Sequence, residues 1–194
     1  MGTFSKISID TFKEFQLDAG VLLKTFDPTS PELVDDDIIC ATTGGINPTC
    51  VAEYRDNGED VDNCPNNMKE LKELVRWNTG LSFTALNVTP EVIRMALGAA
   101  DIEASSGKIT PRSDLADTDF ADVWWVGDRS DGGLVAIRLI NALSTSGLSL
   151  QTTKDGKGNI SVSLSGHYSI DEQDKVPMEF YVQEGAEAAS QDEE

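Results

Sequence analysis

Three cysteines and one histidine are the residues of this chain best suited to nucleophilic or metal chemistry. A Cys₃His zinc set from Cys40, Cys50, Cys64 and His167 would lack the closely spaced cysteine pair that structural zinc sites favour. A cysteine–histidine dyad needs the imidazole beside the thiol, and no local motif places His167 there. The sequence therefore predicts no metal site, no cofactor and no catalytic residue. We expect free cysteines that behave as small buried hydrophobic residues.

Residues 55–67 and two glycine pairs are the remaining candidates for binding ions or phosphates. The segment 55–67 is polar and acidic, but its acids do not follow the spacing of a calcium-binding EF-hand loop. Gly44-Gly45 and Gly132-Gly133 lack the Gly-Lys-Ser/Thr ending of a phosphate-binding loop. We expect a solvated loop at 55–67 and a protein that is not an enzyme.

Net charge limits the partners that the chain can have. The 194 residues carry 34 acids and 15 Lys and Arg, which gives a formal net charge of −19. Sequence-independent binding of nucleic acid needs basic patches, so a DNA-binding protein is excluded. No apolar run approaches the length of a membrane span, and the first ten residues do not resemble a secretion signal. We therefore expect folding in a cytoplasm and no membrane partner.

Hydrophobic alternation and turn signals predict a mainly β chain with one helix. Thr89 as N-cap, Pro90 at the first helical position and Gly98 as a stop predict a helix over residues 90–97. Domain boundaries are expected at 1–182 for a single domain with an N-terminal arm (1–17), and at 183–194 for an acidic tail. Strands are predicted at 19–26, 38–41, 49–54, 77–88, 119–126, 134–140, 148–153, 159–167 and 177–182.

Two groups of aromatic residues suggest contact surfaces. Phe12 and Phe15 would share one face of a short helix in the arm, and they dock either on their own domain or on a neighbouring copy. Trp124 and Trp125 lie in a strand that is apolar on both faces. Such a strand is covered on both sides, by its own core and by the helix or another subunit. The alternative is that the tryptophans stack on sugars in a small binding module.

Five sequence motifs, spread over residues 11–142, resemble the major tail proteins (tail tube proteins) of tailed phages and prophages of Gram-positive hosts. The longest runs from Val123 to Ala142, and none is a catalytic signature. The motifs are Thr11-Phe-Lys-Glu-Phe-Gln-Leu-Asp-Ala-Gly-Val-Leu-Leu-Lys-Thr-Phe-Asp27, Ala41-Thr-Thr-Gly-Gly45, Leu81-Ser-Phe-Thr-Ala-Leu-Asn-Val-Thr-Pro90, Ile109-Thr-Pro-Arg112 and Val123-Trp-Trp-Val-Gly-Asp-Arg-Ser-Asp-Gly-Gly-Leu-Val-Ala-Ile-Arg-Leu-Ile-Asn-Ala142.

This resemblance implies a β-sandwich or barrel with one flanking helix, in which six copies form a ring. Rings would stack around a tape-measure protein, join tail-end and connector proteins, and let DNA pass without specific binding. The location implied is the virion tail, assembled in the bacterial host cytoplasm. Two alternatives stay open: the tube of a secretion or phage-derived injection device, and a β-sandwich module that binds carbohydrate or a partner protein.

The same resemblance gives expectations for two surfaces. The loop 55–67 would reach the next ring through residues that include Arg55, Asp56, Glu59, Asp60 and Asp62. The bore would be lined by the polar faces of strands 77–88, 148–153 and 159–167. Those faces are mainly Ser, Thr, Asn and Gln, so acids would enter from strand ends, for example Asp155 or Asp171. A net negative wall would keep DNA sliding rather than bound.

Overall fold

The computed structural model describes residues 7–185, which form ten β-strands and one α-helix. The predicted fold class, mainly β with one helix at 90–97, is confirmed. The elements in chain order are β1 (Val21–Leu23), β2 (Thr42–Asp56), β3 (Lys72–Ala85), α1 (Pro90–Leu97), β4 (Ala100–Glu103), β5 (Lys108–Pro111), β6 (Ala121–Asp128), β7 (Leu134–Ser144), β8 (Ser149–Gln151), β9 (Asn159–Ser165) and β10 (Met178–Gln183).

Eight of the strands form two antiparallel sheets that share β7, and β4 and β5 form a separate two-stranded hairpin. Sheet I has the order β1-β6-β7-β10, and sheet II has the order β2-β3-β9 with β8 paired to the start of β9. β7 enters sheet II at its end, where Leu143 and Ser144 pair with β9. Asn141, just before that point, has a φ of 49°, the left-handed conformation that Asn tolerates better than most residues. The kink at Asn141 lets one strand serve both sheets.

The hydrophobic core lies between the two sheets. Alternation along the strands points every second side chain inward, so Leu81 and Phe83 of β3 face Ile137 and Leu139 of β7. Helix α1 covers this core with Val92 and Ala96. The helix begins where the sequence predicts, because the Thr89 hydroxyl accepts the Val92 N–H at 3.3 Å.

The outer face of sheet I is covered by the chain itself. Trp124 lies on that face, and Phe26 packs against its ring at 5.7 Å. Tyr181 and the Arg138 guanidinium contact the same ring at 5.7 Å and 5.5 Å. Trp125 points to the opposite face, into the core, and its indole N–H donates to the Ala19 carbonyl at 2.9 Å. This strand therefore needs no second subunit to cover it.

Several strand predictions differ from the structure; the predicted strand 77–88, for example, begins earlier, at Lys72, and ends at Ala85. Residues 38–41 form no strand beyond an isolated bridge at Ile38. The predicted strand 49–54 is the middle of a strand that starts at Thr42, because Gly44 and Gly45 form a bulge rather than a turn. Strand β9 ends at Ser165, so His167 lies after it. The predicted tail residues 186–194 and arm residues 1–6 lie outside the described part of the chain.

Candidate functional site

The outward face of sheet II is an uncharged polar surface. The register aligns its side chains into rows that cross the strands. The opposite face of the same strands supplies the core, so strict alternation separates the two surfaces. The three strands predicted from sequence to line a bore, now β3, β8 and β9, therefore lie side by side in one sheet. The polar residues of this face are Thr43, Asn47, Thr49, Asn78, Ser82, Thr84, Ser149, Gln151, Asn159, Ser161, Ser163 and Ser165, and Val51 is an exposed apolar residue on the same face.

The charges nearest to this polar face are partly paired. Glu53 and Arg76 extend it along β2 and β3, and they form an ion pair at 2.7 Å. The hydrogen bond from Arg76 holds the pKa of Glu53 below its usual value. The turn between β8 and β9 carries Lys154, Asp155 and Lys157 at the edge of the face. The face itself therefore offers DNA neither a row of cations nor a row of acids.

Strands β2 and β3 extend beyond the sandwich as a hairpin. Its outward side carries the Arg55–Glu73 ion pair at 2.6 Å, which lowers the pKa of Glu73. Its inward side continues the core-facing stripe with Tyr54 and Leu74, which are paired and both largely exposed. The Lys72 ammonium lies over the Tyr54 ring, 5.6 Å from its centroid. The hairpin thus carries exposed apolar surface past the edge of the core.

The hairpin tip, residues 57–71, is an organised turn rather than a loose loop. Asp56 fixes it, because its two carboxylate oxygens accept the N–H groups of Gly58 at 2.9 Å and Asn67 at 2.6 Å. These two bonds hold the pKa of Asp56 below its usual value. Of the residues predicted for stacking, Arg55 and Asp56 therefore support the hairpin, whereas Glu59, Asp60 and Asp62 lie exposed on its tip.

An apolar groove opens between the hairpin and β10. Its lining is Cys50 and Trp77 from the hairpin with Val176, Met178 and Phe180 from the β10 segment, and its volume is about 430 Å³. Within residues 7–185, β10 pairs only with β7, so its other edge is open in that part of the chain. The sequence did not reveal this groove, because it needs β10 to lie beside β2, a contact between distant parts of the chain.

The N-terminal arm is fixed at the opposite side of sheet I. Phe15 donates its N–H to the Ser130 hydroxyl and accepts the Ser130 N–H, in the turn between β6 and β7. Gln16 crosses Gly127 so closely that a Cβ at residue 127 would collide with the side-chain amide of Gln16. Phe12 and Phe15 contact each other edge-to-face at 5.5 Å, and both rings remain about half exposed.

The three cysteines and the histidine considered for nucleophilic or metal chemistry lie in different parts of the structure. Cys40 is buried in the core, where burial raises the pKa of its thiol to about 11 and disfavours the nucleophilic thiolate. Cys50 lies in the apolar groove, and Cys64 lies in the hairpin tip with its sulfur 3.7 Å from the sulfur of Met68. His167 holds its Nδ1 atom 3.1 Å from the Asn141 carbonyl oxygen.

Two further findings concern the described range only. Among residues 7–185, no three His, Cys, Asp or Glu side chains are grouped so that they could hold a metal ion. Within the same range, none of the helices has both the length and the apolar character required to cross a membrane.

This chain resembles known proteins at the level of solved structures. No family model matches the chain, and no curated protein matches it. Among solved structures, a chain from "Virion of native gene transfer agent (GTA) particle" aligns with a TM-score of 0.42 and 10% identity. The alignment covers 84% of this chain and 95% of that chain. A likeness at that TM-score carries no argument about function.

Proposed function

We propose that this chain is a structural protein that assembles into six-membered rings, which stack into the tube of a phage-like tail. The polar face of sheet II, from Thr43 to Ser165, would line the bore. The observation that carries the proposal is the neutrality of this face in a chain of net charge −19. The number of copies, the tape-measure protein and the tail-end and connector proteins come from the sequence resemblance.

A bore of hydroxyl and amide groups suits DNA that must move. Duplex DNA carries one charge about every 1.7 Å of its axis, so fixed lysines or arginines on the wall would form a ladder of phosphate contacts. Ser and Thr hydroxyls exchange hydrogen bonds with water readily and add no fixed charge. The strands thus supply neutral groups, and any acids of the wall would come from strand ends, such as Asp155 in the turn between β8 and β9.

Ring closure would use the two edges of sheet II. β2 and β8 lie at opposite edges of that sheet, and each is unpaired on its outer side within residues 7–185. Joining β2 of one copy to β8 of the next would extend the sheet from copy to copy. Such head-to-tail contacts generate closed rings when the rotation between copies closes. Four strands per copy would then form one continuous barrel around the bore.

Stacking of rings would use the hairpin tip. The tip lies beyond the core and is held rigid by Asp56, so it can reach a neighbouring ring without first being ordered. The exposed acids Glu59, Asp60 and Asp62 lie at its outer surface. A carbohydrate-binding module is the less favoured function, because the Trp124 and Trp125 rings are buried and cannot stack on a sugar.

Electron microscopy of the purified protein tests the proposal. Salt screens repulsion between copies of charge −19, so the protein is titrated in concentration at low and high salt. The expected result is six-fold rings and tubes that become more abundant with salt. A monomer in sedimentation under every such condition would overturn the proposal.

A further inference from the structure

We infer that the apolar groove between the hairpin and β10 receives the N-terminal arm of a second copy, through Phe12 and Phe15. The inference rests on the proposed self-assembly and names the residues that would join neighbouring copies on the outside of the ring. The groove and the arm occupy opposite sides of the same chain, and each presents apolar groups that its own chain leaves half uncovered.

The groove side of the molecule combines an open strand edge with exposed apolar side chains. Phe180 and Val182 point toward the core side of β10, level with Ile137 and Val135, yet they are 57% and 64% exposed. Phe180 lines the groove together with Trp77 and Cys50, which leave more than half of the Phe180 side chain uncovered. An edge strand with exposed apolar groups is a ready site for pairing with another chain.

The arm cannot fill the groove of its own chain. Phe15 and Leu17 are hydrogen-bonded to Ser130 and Asp128, on the far side of β6 from β7 and β10. β10 lies at one edge of sheet I, and β1, which follows the arm, lies at the other. The two surfaces can therefore meet only between different copies.

The order of the strands places this contact where the sheet II edges would meet. Trp77 and Cys50 come from β3 and β2, so β10 lies over the β2 side of sheet II. The β8 edge, which also exposes Leu148 and Leu150, lies across sheet II from β2. One head-to-tail contact would thus join β2 to β8 on the inside of the ring and the groove to the arm on the outside.

Local charge also permits this contact between strongly acidic copies. Lys13 and Glu14 lie between the two phenylalanines of the arm and carry opposite charges. On the groove side, Glu179 is neutralised by ion pairs with Arg138 at 3.2 Å and Lys175 at 3.5 Å. Apolar surfaces with balanced charge are the places where copies of a −19 chain can approach with least repulsion.

The first test compares Phe180→Asp with Leu115→Asp. The two side chains have nearly equal exposure, 57% and 58%, but Leu115 lies away from the groove. We expect Phe180→Asp to raise the protein concentration needed for ring formation about tenfold or more, as loss of an interface anchor does. Leu115→Asp should form rings as the parent does, and both variants should melt as the parent does. Normal rings from Phe180→Asp would overturn the inference.

The second test maps the contact by cross-linking. Phe15→Cys and Phe180→Cys are made separately in a Cys50→Ala, Cys64→Ser background, which keeps the groove apolar and leaves the buried Cys40 as the one native cysteine. We expect disulfide-linked dimers when the two variants are mixed under assembly conditions, and none from either alone. Dimers of Phe180→Cys alone would indicate a two-fold contact and overturn the inference. Rings without mixed dimers would also overturn it and leave the proposed tube standing, whereas absence of any ring from the parent protein would remove both.

Discussion

The Asp122 carboxylate accepts the backbone N–H of Asn141 at 3.0 Å, at the position where β7 leaves sheet I for sheet II. The same carboxylate pairs with Arg138, whose guanidinium lies over the Trp124 ring. One side chain thus connects the kink between the sheets to the covered outer face of sheet I. The register shifts here by a bulge in β7: Ile140 and Asn141 both lie opposite Asp122, between the Ala121–Ala142 and Val123–Leu139 pairs, so the Asn141 N–H comes within reach of the Asp122 carboxylate.

Replacing Asp122 tests this connection. Asp122→Ala leaves the Asn141 N–H without its acceptor and Arg138 with Glu179 alone, so we expect a loss of about 1–3 kcal/mol in unfolding free energy. Asp122→Asn keeps an oxygen acceptor and should lose less. Urea unfolding followed by tryptophan fluorescence measures both. Equal losses would show that the charge, not the bond to Asn141, is what matters.

The kink itself gives a second prediction. The positive φ of Asn141 is strained for residues that carry a Cβ, whereas glycine adopts it without strain. Asn141→Gly and Asn141→Ala both remove the hydrogen bond that the Asn141 side-chain amide donates to the His167 carbonyl. We therefore expect the alanine variant to be less stable than the glycine variant by about 1 kcal/mol. The same melting temperature for both would mean that the chain relieves the strain by shifting β7.

Acid pH should weaken the attachment of the β4–β5 hairpin through Asp119. Its buried carboxylate accepts the Ala116 N–H and two bonds from Arg112, and these interactions hold its pKa below the ordinary value of 3.8. A lowered folded-state pKa gives stability that is present above the unfolded pKa and lost as pH falls through the folded pKa. Asp119→Asn should thus be less stable than the parent at pH 7.

The pH dependence of the stability difference between the parent and Asp119→Asn serves as the control. Because an amide does not titrate, the stability gap between parent and Asp119→Asn should narrow as the solution is acidified below about pH 3.8. Thermal melts from neutral to acid pH measure this gap. A gap that stays constant would mean that the lost interaction does not depend on the carboxylate charge.

Local signals explain which parts of the fold the sequence predicts well. Helix α1 is set by Thr89, Pro90 and Gly98, which act within one turn, and its bounds were predicted correctly. The β4–β5 hairpin was missed, because its strands have four residues each and little alternation. It is held instead by Arg112, which pairs with Asp101 at 2.9 Å and with Asp119, a contact that only the folded chain creates.

The polar face and the apolar groove also differ in how far the sequence predicts them. Alternation of Ser with Ile, Val and Leu in β9 predicts a polar face, and the structure extends it across β3 and β8. The apolar groove could not be predicted, because Phe180 and Trp77 are distant in sequence and each belongs to an ordinary strand pattern. Surfaces made by one strand are visible in sequence, whereas surfaces made between strands are not.

Shortening the hairpin tip tests stacking. Replacing residues 57–71 by a short Gly-Ser turn removes Glu59, Asp60 and Asp62 and leaves β2 and β3 paired up to Asp56 and Lys72. We expect a folded protein that forms single rings but no tubes, because the tip is remote from the core. A Gly-Ser replacement of the exposed β4–β5 turn, residues 104–107, is the control and should stack normally. Tubes of normal length from the shortened hairpin would contradict its role in stacking.

Adding lysines to the polar face tests the bore. Ser161→Lys and Ser163→Lys point outward from β9 on the face that we assign to the wall, so a ring of six would gain twelve cations there, about two per copy. We expect variant tubes to retain a short duplex DNA at about 50 mM salt and to release it at about 200 mM, because phosphate contacts weaken steeply with salt. Parent tubes should not retain the duplex at either salt concentration.

The matched control carries lysines at Ser105 and Thr118, which are exposed outside sheet II, and adds the same charge. Equal retention by this control would mean that added charge alone, wherever it lies, binds the duplex. Retention by the parent would mean that the neutral face already holds DNA, and the assignment of sheet II to a wall over which DNA slides would then be wrong.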